Sequence, residues 1–314
     1  MSDSWYAGRW WQLNDWLLDH RPLWQPTPFT DPVPEWTRQW PDMADRIARM
    51  SDEDCQRFES DPVALSRELA ALMPSLATLP ELTDVPVFSG DEDGCTLPET
   101  RAHDMPGRKR LQSGAFASAV RPLNSTVVDW CCGKGHLART LLPFSDHPVQ
   151  GLEWNPALVN DGNRLAQKFG DSVTLRCQDV MANDLHLPGD AHAVALHACG
   201  DLHRRLLSRA ANQRLPRVSI APCCFHLSAS NDYRPLSEFA RHQLKGLALT
   251  KADLKLAVEE TVTAPARVRD QVNTFSQWRL GFDGLQRSLR GVDEYLPVPS
   301  HPGWVGRGDF RQFC

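Results

Sequence analysis

Residues 127–137 read Val-Val-Asp-Trp-Cys-Cys-Gly-Lys-Gly-His-Leu, and this stretch decides the fold. A short β-branched run carries an acid, Asp129, and breaks into a Gly-x-Gly turn at Gly133 and Gly135. Helix-forming residues follow from His136 to Leu142. A strand, a glycine turn and a helix in that order build a nucleotide site: glycines let the backbone approach a ligand closely, and the amides of a helix N-terminus favour polar or anionic groups. The segment also satisfies Gly-x-Gly-x-x-Ala through Ala138, a form of the dinucleotide fingerprint, so the turn alone leaves two kinds of site open.

The chain beyond the turn repeats one pattern. Val149-Gln-Gly-Leu-Glu-Trp is a second short strand ending in Glu153, roughly twenty residues past the turn, where an acid accepts hydrogen bonds from both ribose hydroxyls. Trp154 beside it is placed to pack on an adenosine. Val173-Thr-Leu-Arg-Cys runs into Gln178-Asp179-Val180, Ala191-His-Ala-Val-Ala-Leu into His197-Ala198-Cys199-Gly200-Asp201, and Arg217-Val-Ser-Ile-Ala into Pro222-Cys223-Cys224-Phe225-His226. Every polar cluster follows an apolar run, which predicts that all lie on the carboxyl edge of one parallel sheet.

This order resembles the class I S-adenosylmethionine-dependent methyltransferases. Those enzymes commonly place an acid before the glycine turn and further acids after strands two and three. Leu196-His-Ala-Cys-Gly-Asp-Leu and Ala221-Pro-Cys-Cys-Phe-His resemble the methyltransferase-32 group, which includes the methyltransferase-like 25 proteins and is similar to a tRNA methyltransferase acting on a ribose 2′-hydroxyl. The resemblance covers about residues 100–260. It implies a Rossmann-like α/β sheet and S-adenosylmethionine as cofactor. Asp129, Cys131, Gly133 and Gly135 are the expected contacts at the turn, and Glu153, Trp154, Asp179, Val180, His197 and Ala198 those further along the edge. Asp179 is the residue expected to reach the adenine amino group. Trp130-Cys131-Cys132 departs from the family pattern, which has a small residue and another glycine there. Two alternatives remain open: a protein that binds S-adenosylmethionine without turning it over, and an NAD-dependent oxidoreductase.

The methyl acceptor expected from the resemblance is RNA, tRNA first. Lys109, within Arg108-Lys109-Arg110, and Phe225 are the expected substrate contacts, and His226 the expected catalytic group. His197 is expected beside the cofactor. Arg204, Arg205 and Arg209 read as a solvated helix face, and Asp201 as a cap for the helix after it. The net charge of −5 argues against broad electrostatic attachment to nucleic acid, which needs many phosphate-neutralising cations.

The nine cysteines contain no Cys-x-x-Cys pair, so a zinc ribbon is not expected. Cys131, Cys132, Cys199, Cys223 and Cys224 nevertheless sit at converging strand ends. They read as small residues packing round the cofactor, as a metal or cluster site joined by His197 or His226, or as a reactive thiol. Neighbouring side chains on a strand point to opposite faces, which favours packing, and no metal is expected.

The first region is of another kind. Trp5, Trp10, Trp11, Trp16, Trp24, Trp36 and Trp40 crowd it, with Pro22, Pro26, Pro28, Pro32 and Pro34 between them. Helices are predicted over Met43 to Met50 and Pro62 to Met73. The tryptophans read as a cap packed on the catalytic domain, or as platforms for stacking bases. Ser89-Gly-Asp-Glu-Asp-Gly reads as an acidic linker. The expected division is a helical tryptophan-rich region over 1–98 and an S-adenosylmethionine-binding methyltransferase domain over 99–314. Lys245 to Thr263 and Ala266 to Leu289 are predicted to be helical. No pair of apolar strands follows for the antiparallel hairpin of a seven-stranded sheet, so a missing hairpin, and a truncated form, are expected. With no secretory signal and no apolar run long enough for a bilayer, a cytoplasmic protein without a membrane partner is expected.

Overall fold

A computed structural model describes residues 3–27, 30–31, 33–88, 90, 92–243, 246–258, 266–298, 305 and 308–314. It forms two compact units, one of residues 1–85, 244–247 and 260–314, the other of 86–243 and 248–259. The expected division at 98/99 differs from this: the chain from Pro86 already groups with the sheet, while residues 244–247 and 260–314, the helix Ala266–Arg290 among them, group with the N-terminal helices.

The second unit is built on five parallel strands: β1 Val127–Trp130, β2 Val149–Glu153, β3 Val173–Cys177, β4 His192–Leu196 and β5 Arg217–Ala221. Their order is β3-β2-β1-β4-β5. The chain moves outward from β1 through β3, then returns to pair β4 with the other side of β1, where Val127 faces His192 and Asp129 faces Val194. That reversal opens a crevice at the carboxyl ends of β1 and β4. All four residues of β1 are buried, as a central strand covered on both faces requires. Val127 packs with Phe116, Ala117 and Val120 of the helix Gly107–Val120 and with Leu137 and Leu141 of the helix His136–Leu141. Val128 and Trp130 join Leu152, Val180, Ala193, Ala195 and Leu206 in a second cluster. Alternate residues of one strand thus feed two cores.

Local signals set the ends of these elements. The helix Pro156–Phe169 begins with Asn155, whose side chain accepts from the Ala157 amide at 2.9 Å, followed by proline, and it ends at Gly170 with φ 69°. The helix Asp201–Gln213 joins β4 to β5. Its arginines correct the expectation of a solvated face. Arg209 is buried and donates to the carbonyls of Ala182 and Leu185, and Arg205 donates to Asn183 Oδ1 at 2.6 Å. They hold the connection between β3 and β4, which carries no helix among the described residues.

In the first unit, Pro41–Ala48 and Pro62–Ala70 are the helices predicted near these positions. Met43, Leu69, Met73 and Leu76 form its core, with Trp16, Trp36 and Trp40 packed against them. The Trp16 ring stacks on His20 at 4.1 Å and its Nε1 donates to the Ser75 carbonyl at 3.3 Å. These three tryptophans therefore pack among the helices of their own unit. Glu92–Cys95 is helical where a linker was expected. Lys251–Leu256 and Ala266–Arg290 are the helices of the later region. Pro28, Pro32, Ser89, Asp91, Lys245 and residues 259–263 lie outside the described residues. Among the described residues no strand extends the sheet beyond β3 or β5, and no helix is long and apolar enough to cross a membrane.

Candidate functional site

Acids line the ends of β1, β2 and β3. Asp129 is buried, and its Oδ2 accepts the Ala138 amide at 3.1 Å, tying β1 to the first turn of the helix beyond the glycines. Burial pushes its carboxyl up to about 7; the Ala138 amide works against that and the Glu153 charge adds to it. Glu153 is also buried, and both its oxygens are engaged: Oε2 accepts the Gly133 amide and Oε1 the Asn155 amide, each at 3.0 Å. The acid expected at the ribose is therefore anchored to the glycine turn itself. Each oxygen keeps a lone pair for a ligand hydroxyl. Asp179 is exposed, with Oδ1 accepting the Met181 amide at 2.8 Å.

The turn between these acids leaves room. A Cβ built on Gly133, at φ 55°, would meet nothing within 4 Å, so the backbone is open to a ligand. Cys131 shares the left-handed conformation, at φ 58°, where a side chain is strained. Its thiol is pushed up to about 12 by burial and by the charges of Glu153, Asp129 and Asp179, with Cys199 also in reach. Both effects favour the thiol over a reactive thiolate at Cys131. Burial and the same two buried acids push Cys132 up as well. Lys134 is occupied by Asp104 at 3.1 Å and Asp161 at 3.4 Å.

The ends of β4 and β5 are stitched to one another. The His197 amide donates to the Ala221 carbonyl at 3.0 Å, Gly200 to Cys224 at 2.9 Å and Asp201 to Leu227 at 3.1 Å. Gly200 has φ 58° and ψ −128°, and a Cβ there would lie 1.5 Å from the Leu227 oxygen; only glycine permits the crossing. Asp201 is not the cap of its helix. Its Oδ2 accepts the Ala229 amide at 2.6 Å, a further stitch between the loops, and Gly200 occupies the cap position. Through these contacts Cys199, Cys223 and Cys224 meet, with sulfurs 3.0 Å apart for the first pair and 3.6 Å for the second. The expectation that adjacent cysteines point apart fails because Cys223 and Cys224 lie in the turn past β5, where the alternation of a strand no longer holds.

The remaining expected residues divide. His197, at φ 63°, receives a partner that the sequence reading missed: its Nε2 lies 3.0 Å from Gln112 Oε1. Burial, with the charges of Lys109 and Arg108, holds its imidazole below the usual value, which brings the basic segment to the end of β4. Arg110 is separated from its neighbours and pairs with Glu99 at 3.1 Å. Val180 and Ala198 are buried in the core with Trp130, so their backbones are what they offer a ligand. Trp154 is 72% exposed. Phe225 meets His203 edge-on at 6.0 Å, and His226 has a buried Nδ1 with no hydrogen-bond partner. Neither His197 nor His226 belongs to the cysteine cluster.

Residues 114–231 match the family model of a methyltransferase domain. The match runs from the helix before β1 to the loop after β5, so it contains both edges described above. No curated protein matches this chain. Among solved structures, it is similar to a geranyl diphosphate methyltransferase in complex with GPP and sinefungin, at 22% identity and TM-score 0.28, over 32% of this chain and 39% of that one. It is similar to an rRNA methylase from Streptococcus thermophilus, at 17% identity and TM-score 0.30, over 38% and 73%. A mycolic acid cyclopropane synthase complexed with SAH and CTAB gives 17% identity and TM-score 0.30, over 41% and 50%. The chain thus spans 39% of the first of these proteins and half of the last. The Rossmann-like α/β fold rests on the sheet order itself.

Proposed function

We propose that this protein is an S-adenosylmethionine-dependent methyltransferase whose cofactor lies across the carboxyl ends of β1, β2 and β3. The observation that carries the reading is Glu153. Its carboxylate is fixed by the Gly133 and Asn155 amides beside a glycine turn whose face is open, and the methyltransferase-domain match contains all of these residues. In this reading Glu153 orients the ribose, Asp179 receives the adenine amino group, and Asp129 holds the helix that presents the turn. The bound sulfonium supplies an electrophilic methyl group, and the protein supplies alignment, which carries much of the rate in such a displacement. His226, in the loop that follows β5 at the carboxyl edge, takes the acceptor's proton. Isothermal titration against S-adenosylmethionine and NAD tests the cofactor. Binding of NAD alone would overturn the assignment in favour of a dehydrogenase.

The acceptor in this reading is RNA, tRNA first. Support comes from Arg108 and Lys109, both exposed and close enough to His197 to depress its basicity. Incubation with methyl-labelled S-adenosylmethionine and cell extract, followed by separation of RNA, protein and small molecules, tests substrate class. Label is expected in RNA; no transfer to any fraction would leave a cofactor-binding protein without turnover. Affinity for tRNA should fall with salt, and Lys109→Ala should lower the slope of that dependence by about one. No tRNA binding at low salt would exclude the RNA reading.

A further inference from the structure

We infer that Cys199, Cys223 and Cys224 form a three-thiolate zinc site at the carboxyl ends of β4 and β5. Their sulfurs all lie within 4.8 Å of one another, with separations of 3.0 Å between Cys199 and Cys223 and 3.6 Å between Cys223 and Cys224. Zinc–sulfur bonds of about 2.3 Å in a tetrahedron place sulfurs roughly 3.8 Å apart, so small side-chain rotations complete the geometry. A disulfide would need about 2.05 Å.

Packing does not account for the cluster. Free cysteines that serve as small apolar residues are buried, whereas Cys223 is exposed and Cys199 and Cys224 are half-buried. The backbone, by contrast, is organised around the cluster. The bonds from Gly200 to Cys224 and from Asp201 to Leu227 lock the two loops together, and Gly200 is the residue that permits their approach. Three sulfurs are thereby held in place before any ligand arrives. Soft thiolates select zinc or copper(I) over magnesium or calcium, and the cluster contributes no oxygen ligand. Zinc binding exchanges thiol protons for the metal, up to three per ion.

Three protein ligands leave one tetrahedral position for water or a substrate donor, as in catalytic rather than structural zinc sites. Cys199 lies within electrostatic reach of Cys131 at the end of β1, so that position would adjoin the acid-lined edge. The metal site itself does not depend on methyl transfer, and its test reads metal alone.

The full-length chain, purified under reducing conditions and dialysed against zinc, should retain about one zinc per chain by elemental mass spectrometry. Titration with cobalt(II) should give the thiolate-to-cobalt charge-transfer band of a tetrahedral site. Zinc should protect three of the nine cysteines from alkylation, and peptide mapping should identify these as Cys199, Cys223 and Cys224. Cys199→Ser, Cys223→Ser and Cys224→Ser should each weaken metal binding at least tenfold, while Cys177→Ser and Cys314→Ser should leave it unchanged. If the serine variants fail to fold, the cobalt spectrum and alkylation map of the unaltered chain still decide. A folded, reduced chain with no charge-transfer band would overturn the inference. So would protection of other cysteines, or a Cys199–Cys223 disulfide in protein alkylated at lysis.

Discussion

At the ends of β1, β2 and β3 the polar side chains are carboxylates, and each is tied to a backbone amide close by: Asp129 to Ala138, Glu153 to Gly133 and Asn155, Asp179 to Met181. At the ends of β4 and β5 sulfur and imidazole join a single carboxylate, Asp201, which is spent on the Ala229 amide, and there the backbones of two separate loops are tied to each other. The first edge is gathered around one glycine turn, which Glu153 reaches from the end of β2. The second exists only because two loops meet. One sheet therefore carries a hard edge suited to hydroxyl and amino groups and a soft edge suited to a metal, and Cys131 at the end of β1 feels the charges of both, Asp179 from the first and Cys199 from the second.

The largest expected effect lies on the soft edge. Gly200→Ala puts a Cβ 1.5 Å from the Leu227 oxygen at a backbone conformation reserved for glycine. It should cost about 3 kcal/mol in urea unfolding. A wild-type midpoint would mean that the loops are not held together as described.

On the hard edge, two acids should behave differently. Glu153→Ala leaves two half-buried amides without their acceptor and should cost about 1 kcal/mol of stability, together with tenfold or more in S-adenosylmethionine affinity. Asp179→Ala should lower affinity about tenfold while the unfolding free energy stays within about 0.5 kcal/mol, because Asp179 is exposed. Unchanged affinity in both variants would place the cofactor elsewhere.

Asp129 makes the comparison pH-dependent. Its carboxyl stands at about 7 in the folded chain, against about 3.9 when unfolded. Between those values the folded state holds a proton that the unfolded state lacks. The stabilisation is complete below about pH 4 and is lost as pH rises through 7, with a slope of up to about 1.4 kcal/mol per pH unit. Asp129→Asn keeps an acceptor for Ala138 and should flatten that slope in denaturation series at several pH values. An undiminished slope would assign the titration to another group. The smallest effect is expected at the junction: Cys131→Gly relieves a left-handed side chain and should raise stability by up to about 1 kcal/mol. A loss of stability would show that the sulfur's packing outweighs the strain.

Much of the α/β unit was legible from residue order. Each short apolar run became a strand, each cluster fell at a carboxyl end, and Glu153 stands beside the glycine turn. What misled were features whose partners are remote in sequence. Asp201 looks like a cap but binds Ala229, Arg209 looks solvated but supports the β3–β4 connection, and nothing near His197 in sequence announces Gln112.

By itself the sequence determined the period-two strands, the glycine turn and the acids that follow them, because these depend on backbone freedom and on polarity within a few residues. Only the tertiary structure decided which loops touch. The meeting of Cys199 with Cys223 and Cys224 follows from the pairing of β4 with β5, and Ala266–Arg290 groups with the N-terminal helices. Both bring together residues that are distant in sequence, and no local propensity encodes such a contact.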